Sequence, residues 1–257
     1  MPRPEPPFSA SVQRCFSRSA ANYQRGAALQ AAVATRLGRL IKQLAGRLPA
    51  GPRADLGAGS GLLARAIEAN LDGPPLLRLD ACRALLDHEN TAQGTPPQRH
   101  WDLNQGLPME LQGAALLASS FALQWLEQPA VQLSRWCEAL LPGGSLVLAV
   151  PCHGSFRLWH EAARQAAVPC TALPLPEASE LIATTTPALE LQHGQVLRFS
   201  RPNPGALAFL QQIKGIGAQA SPAPPLQPGQ LRRLIRHWPG PEQAIVWHVL
   251  VLMGRKR

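Results

Sequence analysis

The segment "DLGAGSG" at residues 55–61 places one acidic residue before three glycines at alternate positions. Gly57, Gly59 and Gly61 can adopt positive φ angles and let a ligand and the following helix approach the backbone, because no Cβ stands in the way. The third glycine comes one position too early for a G-x-G-x-x-G dinucleotide turn, and no lysine follows as in a P-loop. Asp55 would repel a phosphate but attract an ammonium or a sulfonium. The turn therefore favours a ligand with a positive charge, with a purely structural glycine turn as the alternative.

Two further aspartates follow at the expected ends of later strands. Asp80 closes the second strand, where a carboxylate can accept hydrogen bonds from both hydroxyls of a ribose. Its alternative role is a helix cap or a solvated carboxylate. Asp102, in "HWDLNQGLP", lies where a third strand should end and could accept from an adenine amino group. Its alternative role is an ordinary loop aspartate.

The elements that would position these residues alternate between helix and strand. Residues 27–45 carry an apolar stripe at helical spacing, with Arg36, Arg39 and Lys42 outside it. This segment is predicted to be an amphipathic helix. The stripe consists of Leu29, Val33, Leu37, Leu40, Ile41 and Leu44.

The segments after the glycine turn predict a doubly wound, mostly parallel α/β sheet of seven strands. Strands are expected at "DLG", "PPLLRLDA", 113–120 and 144–151, around a helix at 62–71 and another that ends at Pro142, Gly143 and Gly144. Two late strands, in "LELQHGQVLRFS" and "QAIVWHVLVLMG", flank a helix near 204–214. The Pro-rich stretch 152–190 predicts a helical cap after the fifth strand, and 218–229 a flexible loop.

Composition excludes several classes of protein. The longest apolar run, at 244–253, is about half of the roughly 20 residues that a membrane span needs. The five cysteines and seven histidines are too scattered for a metal site or a redox pair. The amino terminus "MPRPEPPF" lacks the apolar stretch of a secretory signal. A cytoplasmic protein with reduced thiols and no metal is the expectation.

The positive charge is concentrated in the terminal segments. Residues 1–50 carry a net +7 and residues 191–257 a net +8, whereas residues 51–190 carry −6. Such ends can form an electropositive surface that attracts nucleic acid or an acidic protein. Solvated arginines that only maintain solubility are the alternative.

The chain resembles the class I S-adenosylmethionine-dependent methyltransferases over residues 12–257. Within that class, the segments 16–30, 120–129 and 207–218 resemble the malonyl-acyl carrier protein O-methyltransferases of biotin synthesis. The motifs shared with the wider class are "DLGAGSG", "RLDACRALL", "WDLNQGLP", "ALQWLEQP" and "LPGGSLVLAVP".

The resemblance implies S-adenosyl-L-methionine as cofactor, a lid of helices at 1–45 and a methyltransferase domain at 46–257. It implies a cofactor site in which the glycine turn meets the methionine part, Asp80 the ribose and Asp102 the adenine. Tyr23 corresponds to the tyrosine of the lid, and Gln124 and Trp125 to the segment that faces the reacting groups. The implied cofactor residues are Asp55, Gly57, Gly59, Gly61, Asp80, Asp102 and Ser120.

The chain departs from the family at three places, one of which is the unusually polar first strand in "PRADLG". Gly113 and Ala114 stand where the family usually begins its fourth strand with an aromatic residue and an aspartate. The family also has a cap arginine that pairs with the substrate carboxylate, whereas "CTALPLP" at that position has none. Arg157 and Arg164 are the nearest candidates to replace it.

The implied reaction is methyl transfer to the carboxylate of a malonyl thioester, carried by acyl carrier protein or coenzyme A. An ionised carboxylate is already a nucleophile at neutral pH, so no residue is expected to act as a general base. Two alternatives remain: a methyltransferase of another small acid or a quinone precursor, and a non-catalytic basic nucleic-acid-binding protein. The second is disfavoured because aromatic residues are not interleaved with the basic ones.

Overall fold

The structure is a computed structural model that describes residues 7–89 and 95–257. A seven-stranded sheet in the order β3-β2-β1-β4-β5-β7-β6 forms its centre. The strands are β1 Arg53–Leu56, β2 Leu77–Asp80, β3 Gln98–His100, β4 Ala114–Ser120, β5 Leu140–Cys152, β6 Leu189–Arg201 and β7 Ile245–Lys256.

Nine α-helices surround this sheet within the described ranges. They are α1 Phe8–Gly26, α2 Ala28–Leu40, α3 Leu62–Glu68, α4 Arg83–Leu86, α5 Pro129–Ala139, α6 Arg157–Gln165, α7 Ala178–Thr185, α8 Ala206–Gly215 and α9 Pro228–Arg236. None of the helices in this part of the chain is both long and apolar enough to cross a lipid bilayer.

The strand directions confirm the predicted mostly parallel sheet. Strands β1 to β5 pair in parallel, and β7 pairs antiparallel with both β5 and β6. The order reverses between β1 and β4, which makes the carboxyl ends of these strands the place where such sheets bind ligands. Asp55, Asp80, Asp102 and Ser120 lie at or just after strand ends on this edge.

The two faces of the sheet carry separate apolar layers. Trp136 of α5 and Leu181 of α7 pack on one face, and Val33, Leu37 and Ile41 on the other. The predicted stripe of the helix at 27–45 is confirmed, since these residues are buried while Arg36 and Arg39 are exposed. The last turn of that helix, Ile41–Leu44, is a 3₁₀ helix.

Three boundaries differ from the sequence prediction. The helix expected to end at 142–144 ends at Ala139, and β5 begins at Leu140 because Leu140 pairs with Ala114. Helix α3 ends at Glu68, three residues before the predicted end. The predicted loop at 218–229 stops at Gln227, where a capping box of Gln227 and Gln230 begins α9, which the sequence analysis missed.

The predicted cap at 152–190 is divided between two layers. Helix α7 packs against the sheet beside α5, whereas α6 packs with α8 and α9 in a smaller apolar cluster. Trp159 of α6, Phe209 of α8 and Leu234 of α9 form its centre. This smaller cluster is therefore built from segments that precede and follow β6 in the chain.

Helix α1 lies across the carboxyl edge of the sheet. Its Ala20 and Tyr23 pack on Cys82 and Leu85 at the start of α4. Its Ser19 Oγ donates to the carbonyl of Lys214 in α8 at 2.9 Å. The amino-terminal helix therefore joins the edge of the sheet to the late segment at 207–218. Residues 1–6 of the predicted lid lie outside the described residues.

Gly38→Ala should destabilise the protein by about 1–3 kcal/mol, because overpacking a close contact forces the backbone apart. A Cβ at Gly38 would lie 2.4 Å from the carbonyl oxygen of Ala66, where α2 crosses α3. The matched control is Gly215→Ala, where a Cβ would meet nothing within 4 Å. Urea denaturation should show a lower midpoint for the first variant alone, and equal midpoints for both would contradict the close crossing.

Candidate functional site

The glycine turn has the backbone conformation that its sequence predicts. Gly57, Gly59 and Gly61 have φ angles of 74°, 56° and 73°. A Cβ at Gly57 would lie 2.2 Å from the Cβ of Ala122, so this glycine permits a close approach of two turns. A Cβ at Gly59 would meet nothing nearer than Leu85 Cδ1 at 3.9 Å, which leaves open space for a ligand against the backbone.

Asp55 lies beneath the turn and not on a cavity wall. It is buried, and its Oδ2 accepts a hydrogen bond from the Ala64 amide at 3.0 Å, in the first turn of α3. The carboxylate thereby satisfies an amide of the helix start and holds β1 to α3. This bond positions the turn, and the direct ligand contact that the resemblance implied stays a prediction. Gly61 likewise precedes α3 and does not line the cavity.

Asp80 joins the turn after β1 to the turn after β2. Its Oδ2 accepts from the Gly59 amide at 2.8 Å and its Oδ1 from the Cys82 amide at 2.7 Å. Burial raises the pKa of Asp80, an effect that these hydrogen bonds and the charge of His100 partly oppose. Each carboxylate oxygen has a second lone pair, so the side chain can still accept from a ligand.

Asp102 follows β3 and lines the same cavity. Its Oδ1 accepts from both the backbone and the side-chain amide of Asn104, each at 2.9 Å. Oδ2 takes no part in either bond and is available to a donor. Asp102 thus caps the short turn at 103–105 and also lines the cavity.

Gly57, Gly59, Asp80, Asp102 and Ser120 line one cavity. Ser120 Oγ is buried here and has no hydrogen-bond partner among the described residues. The sequence analysis missed other members of the wall. They are Ser9, Val12, Gln13, Phe16, Ala81, Leu85, Trp101, Leu103, Asn104, Phe121, Ala122 and Leu126.

The sequence could have indicated Phe16 as a lining residue, because it lies seven residues, or two helical turns, before Tyr23 in α1. Its ring packs edge-to-face on Trp125, with centroids 5.4 Å apart, and near Tyr23 at 6.3 Å. Burial raises the pKa of the Tyr23 hydroxyl, and the charges of Asp80 and Asp55 raise it further. Tyr23 therefore stays protonated at neutral pH and acts as a hydrogen-bond donor.

A second cavity adjoins the first. We call it the aromatic cavity, because seven of its fifteen lining residues are aromatic and none is charged. The two cavities share Phe16, Tyr23, Phe121 and Trp125. The remaining lining residues are Gln30, Gln124, Pro151, Phe156, Trp159, Leu173, Leu175, Ile213, Ile216, Ala218 and Trp247.

The structure brings Gln124 and Trp125 to the aromatic cavity, as the resemblance implied. Gln124 Nε2 donates to the carbonyl of Phe121 at 2.7 Å, and its buried Oε1 has no partner among the described residues. Arg157 and Arg164 are exposed on α6 and line neither cavity, because the buried face of that helix carries Trp159 and its apolar neighbours.

The segment "CTALPLP" does reach the aromatic cavity. Leu173 and Leu175 form part of its wall, at the position where the family has its arginine. Both side chains are apolar, and no arginine is among the described residues that line this cavity.

Solved structures share this fold. A geranyl diphosphate methyltransferase in complex with GPP and sinefungin is 12% identical, with a TM-score of 0.57, over 98% of this chain and 100% of that chain. An S-adenosylmethionine-dependent methyltransferase from Thermotoga maritima is 14% identical, with a TM-score of 0.52, over 96% of this chain and all of that one. The chain has the Rossmann-like fold of the class I methyltransferases.

Sequence comparisons confirm the narrower resemblance. The chain is 32% identical over 234 residues to the biotin biosynthesis bifunctional protein BioCD of Bordetella avium, and 35% identical over 150 residues to a malonyl-[acyl-carrier protein] O-methyltransferase of Alcanivorax borkumensis. These matches cover 89% and 57% of this chain. They span about half the length of the two relatives, 48% and 49%.

A trans-aconitate 2-methyltransferase of Sinorhizobium fredii is also similar, at 28% identity over 66% of this chain and 69% of that protein. No family model matches the chain. The chain is thus similar to methyltransferases of two different carboxylic acids, and the comparisons alone do not separate these substrates.

Asp80→Asn should weaken S-adenosylmethionine binding by about 10- to 100-fold, since a charged acceptor of ribose hydroxyls is lost. In the wild type, the ionised carboxylate binds best, so affinity is full above the pKa of Asp80 and falls as the pH falls through it. Because that pKa is raised, the loss should begin above the ordinary value of 3.8.

Isothermal titration between pH 5 and pH 8 tests this prediction. The variant should lose the acid-side decrease, whereas the control Asp87→Asn, a half-exposed carboxylate beyond α4, should behave as the wild type. An Asp80→Asn protein that is folded and binds with wild-type affinity would show that the ribose is held elsewhere.

Proposed function

We propose that the protein is an S-adenosylmethionine-dependent O-methyltransferase that methylates the free carboxylate of a malonyl thioester. The product is the methyl ester that primes pimeloyl and biotin synthesis. The observation that carries this proposal is the pair of adjoining cavities, one lined by Asp80, Asp102 and Gly59 and the other aromatic and uncharged. The similarity to malonyl-acyl carrier protein methyltransferases supports it.

We call the first cavity the cofactor cavity, because its residues suit S-adenosylmethionine in chemical type. Asp80 offers acceptors for the ribose hydroxyls and Asp102 Oδ2 an acceptor for the adenine amino group. Ser120 Oγ, buried and without a partner, offers a further polar contact. The open space at Gly59 admits a ligand against the backbone. When bound, the cofactor supplies a methyl group activated by a sulfonium.

The shared wall between the cavities is where an acceptor carboxylate would meet that methyl group. Tyr23 lies in this wall, and its protonated hydroxyl can donate to one carboxylate oxygen while the other reacts. Phe16, Phe121 and Trp125 exclude water from the same place, which strengthens electrostatic interactions and leaves the carboxylate poorly solvated. A carboxylate needs no general base, and positioning is the main contribution of the chain.

The lack of charged residues among the described lining of the aromatic cavity favours a malonyl thioester over trans-aconitate. A tricarboxylate carries two further negative charges that need cationic partners when removed from water. None of the described residues that line this cavity is cationic. A malonyl thioester brings a single carboxylate, and the pantetheine part of its arm is uncharged.

The proposed partner is a malonyl-loaded acyl carrier protein, with malonyl-coenzyme A as the smaller form of the substrate. Carrier proteins are acidic, and the exposed Arg36, Arg39 and Lys42 of the α2 region suit such a partner. A cytoplasmic location belongs to the same proposal.

Incubation of the protein with S-adenosylmethionine and malonyl-carrier protein should add one methyl group to the malonyl moiety, as measured by mass spectrometry. Trans-aconitate under the same conditions should give less than a hundredth of that rate. Acetyl-carrier protein, which has no free carboxylate, is the matched negative control. Preferential methylation of trans-aconitate would reverse the substrate assignment, and binding of the cofactor without methylation of any acid would leave only the cofactor site.

Tyr23→Phe should lower kcat by about 10- to 100-fold while leaving the Kd for S-adenosylmethionine within about twofold, because one hydrogen bond to a charged acceptor is lost. The ring and its packing on Phe16 remain. Single-turnover kinetics and titration of the cofactor separate the two effects. A raised Kd at unchanged kcat would assign the hydroxyl to the cofactor and not to the acceptor.

A further inference from the structure

A third cavity lies beyond the aromatic one, and we call it the side cavity. The two share Gln30, Ile213, Ile216 and Trp247, whereas the side cavity shares no lining residue with the cofactor cavity. Exposed residues such as Gln212 form its rim, so it opens at the surface. The aromatic cavity therefore lies between the proposed methyl donor and a mouth at the surface.

Arg201, at the end of β6, is the one charged residue that lines the side cavity in the described chain. Its guanidinium lies over the rings of Trp247 and Phe209, 5.1 Å and 5.9 Å from their centroids. A side-chain nitrogen donates to Gln212 Oε1. These contacts fix the guanidinium at the border between the two cavities.

This guanidinium has no counter-ion in the described structure. No carboxylate within residues 7–89 and 95–257 forms an ion pair with Arg201, and its buried Nε has no hydrogen-bond acceptor. Burial lowers the pKa of Arg201, although an arginine remains charged at neutral pH. The buried Arg78, by contrast, is paired with Glu68 at 2.6 Å. A half-buried cation without a partner is costly unless a ligand supplies the anion.

The surface beside the mouth is also basic. Arg36 and Arg39 of α2 line a groove with His193 and Phe199 of β6, and Phe199 is shared with the side cavity. An arm that leaves the side cavity therefore emerges next to two exposed cations, where an acidic protein can approach.

We propose that Arg201 binds the phosphate of a 4′-phosphopantetheine arm, which enters through the side cavity and delivers its malonyl end to the aromatic cavity. This inference rests on the function proposed above. The thioester arm is long and uncharged between the acyl group and one distant phosphate, and this path offers aromatic walls first and a single cation beyond them. Arg201 is thus a binding residue for the arm and has no contact with the reacting carboxylate.

Malonyl-4′-phosphopantetheine and malonyl-pantetheine, which differ only in the phosphate, provide the test with the full chain and saturating S-adenosylmethionine. The wild type should use the phosphorylated substrate with a kcat/KM about 10- to 100-fold higher, the range of one charge-assisted contact. Arg201→Ala should abolish this preference by raising KM for the phosphorylated substrate, and leave malonyl-pantetheine within about twofold. Arg201→Lys, which keeps the charge, should restore part of the preference.

Arg198→Ala is the matched control, because Arg198 is an exposed arginine of the same strand at an odd spacing from Arg201 and so lies on the other face. It should keep the wild-type preference. If Arg201→Ala does not fold, as judged by loss of cofactor binding, Arg201→Gln provides the same comparison with a longer, uncharged polar side chain.

Malonyl-carrier protein and malonyl-coenzyme A serve as further substrates. Each carries a phosphopantetheine phosphate, so Arg201→Ala should lower kcat/KM for each of them, and a loss on one alone identifies the source of the phosphate that uses this site. Equal use of the two pantetheine substrates by the wild type, or an equal loss on both in the variant, would overturn the assignment of Arg201 while the proposed function stands. No methyl ester on any malonyl thioester would overturn both.

Discussion

The Asp80 carboxylate fixes the site, because it binds two separate chain segments at once. One oxygen accepts from the turn after β1 at Gly59 and the other from the start of α4 at Cys82. Cys82 in turn packs on α1, with its sulfur 3.4 Å from the Ser17 hydroxyl. The glycine turn, the second strand and the amino-terminal helix are therefore held in one arrangement around a single buried acid. The cofactor cavity is the space that this arrangement leaves.

The aromatic cavity depends on a different constraint, namely two phenylalanines in a left-handed backbone conformation. Phe121 and Phe156 have φ angles of 56° and 59°, which costs about 1–3 kcal/mol for each non-glycine residue. Backbone hydrogen bonds to Ala149 and Val246 hold them there. Both rings line the cavity, so the strain coincides with the place where the acceptor is expected.

The sequence was sufficient for the sheet and for part of the cofactor cavity, because both depend on local patterns. Apolar segments predicted six of the seven strands, the third was expected only from the position of Asp102, and the glycines and aspartates at strand ends were recognisable by type and spacing. Asp55 shows the limit of such reasoning. Its position before the turn suggested a ligand contact, whereas only the fold reveals that its carboxylate is turned toward the start of α3.

The acceptor side could not be predicted in the same way, since its residues come from distant segments. Trp159, Ile213 and Trp247 lie on α6, α8 and β7 and meet only when these elements pack together. Arg157 and Arg164 were chosen for their nearness in sequence to the missing arginine. Arg201, nearly forty residues later, reaches the cavity border because β6 returns along the sheet to pair with β7.

The position of α1 has a consequence for how the two proposed ligands affect one another. Phe16 and Tyr23 belong to both cavities, so the same eight-residue stretch of one helix forms part of each wall. A ligand that contacts this helix in one cavity therefore contacts a wall of the other cavity. By thermodynamic reciprocity, any change that one ligand makes in the affinity for the other is matched by an equal factor in return.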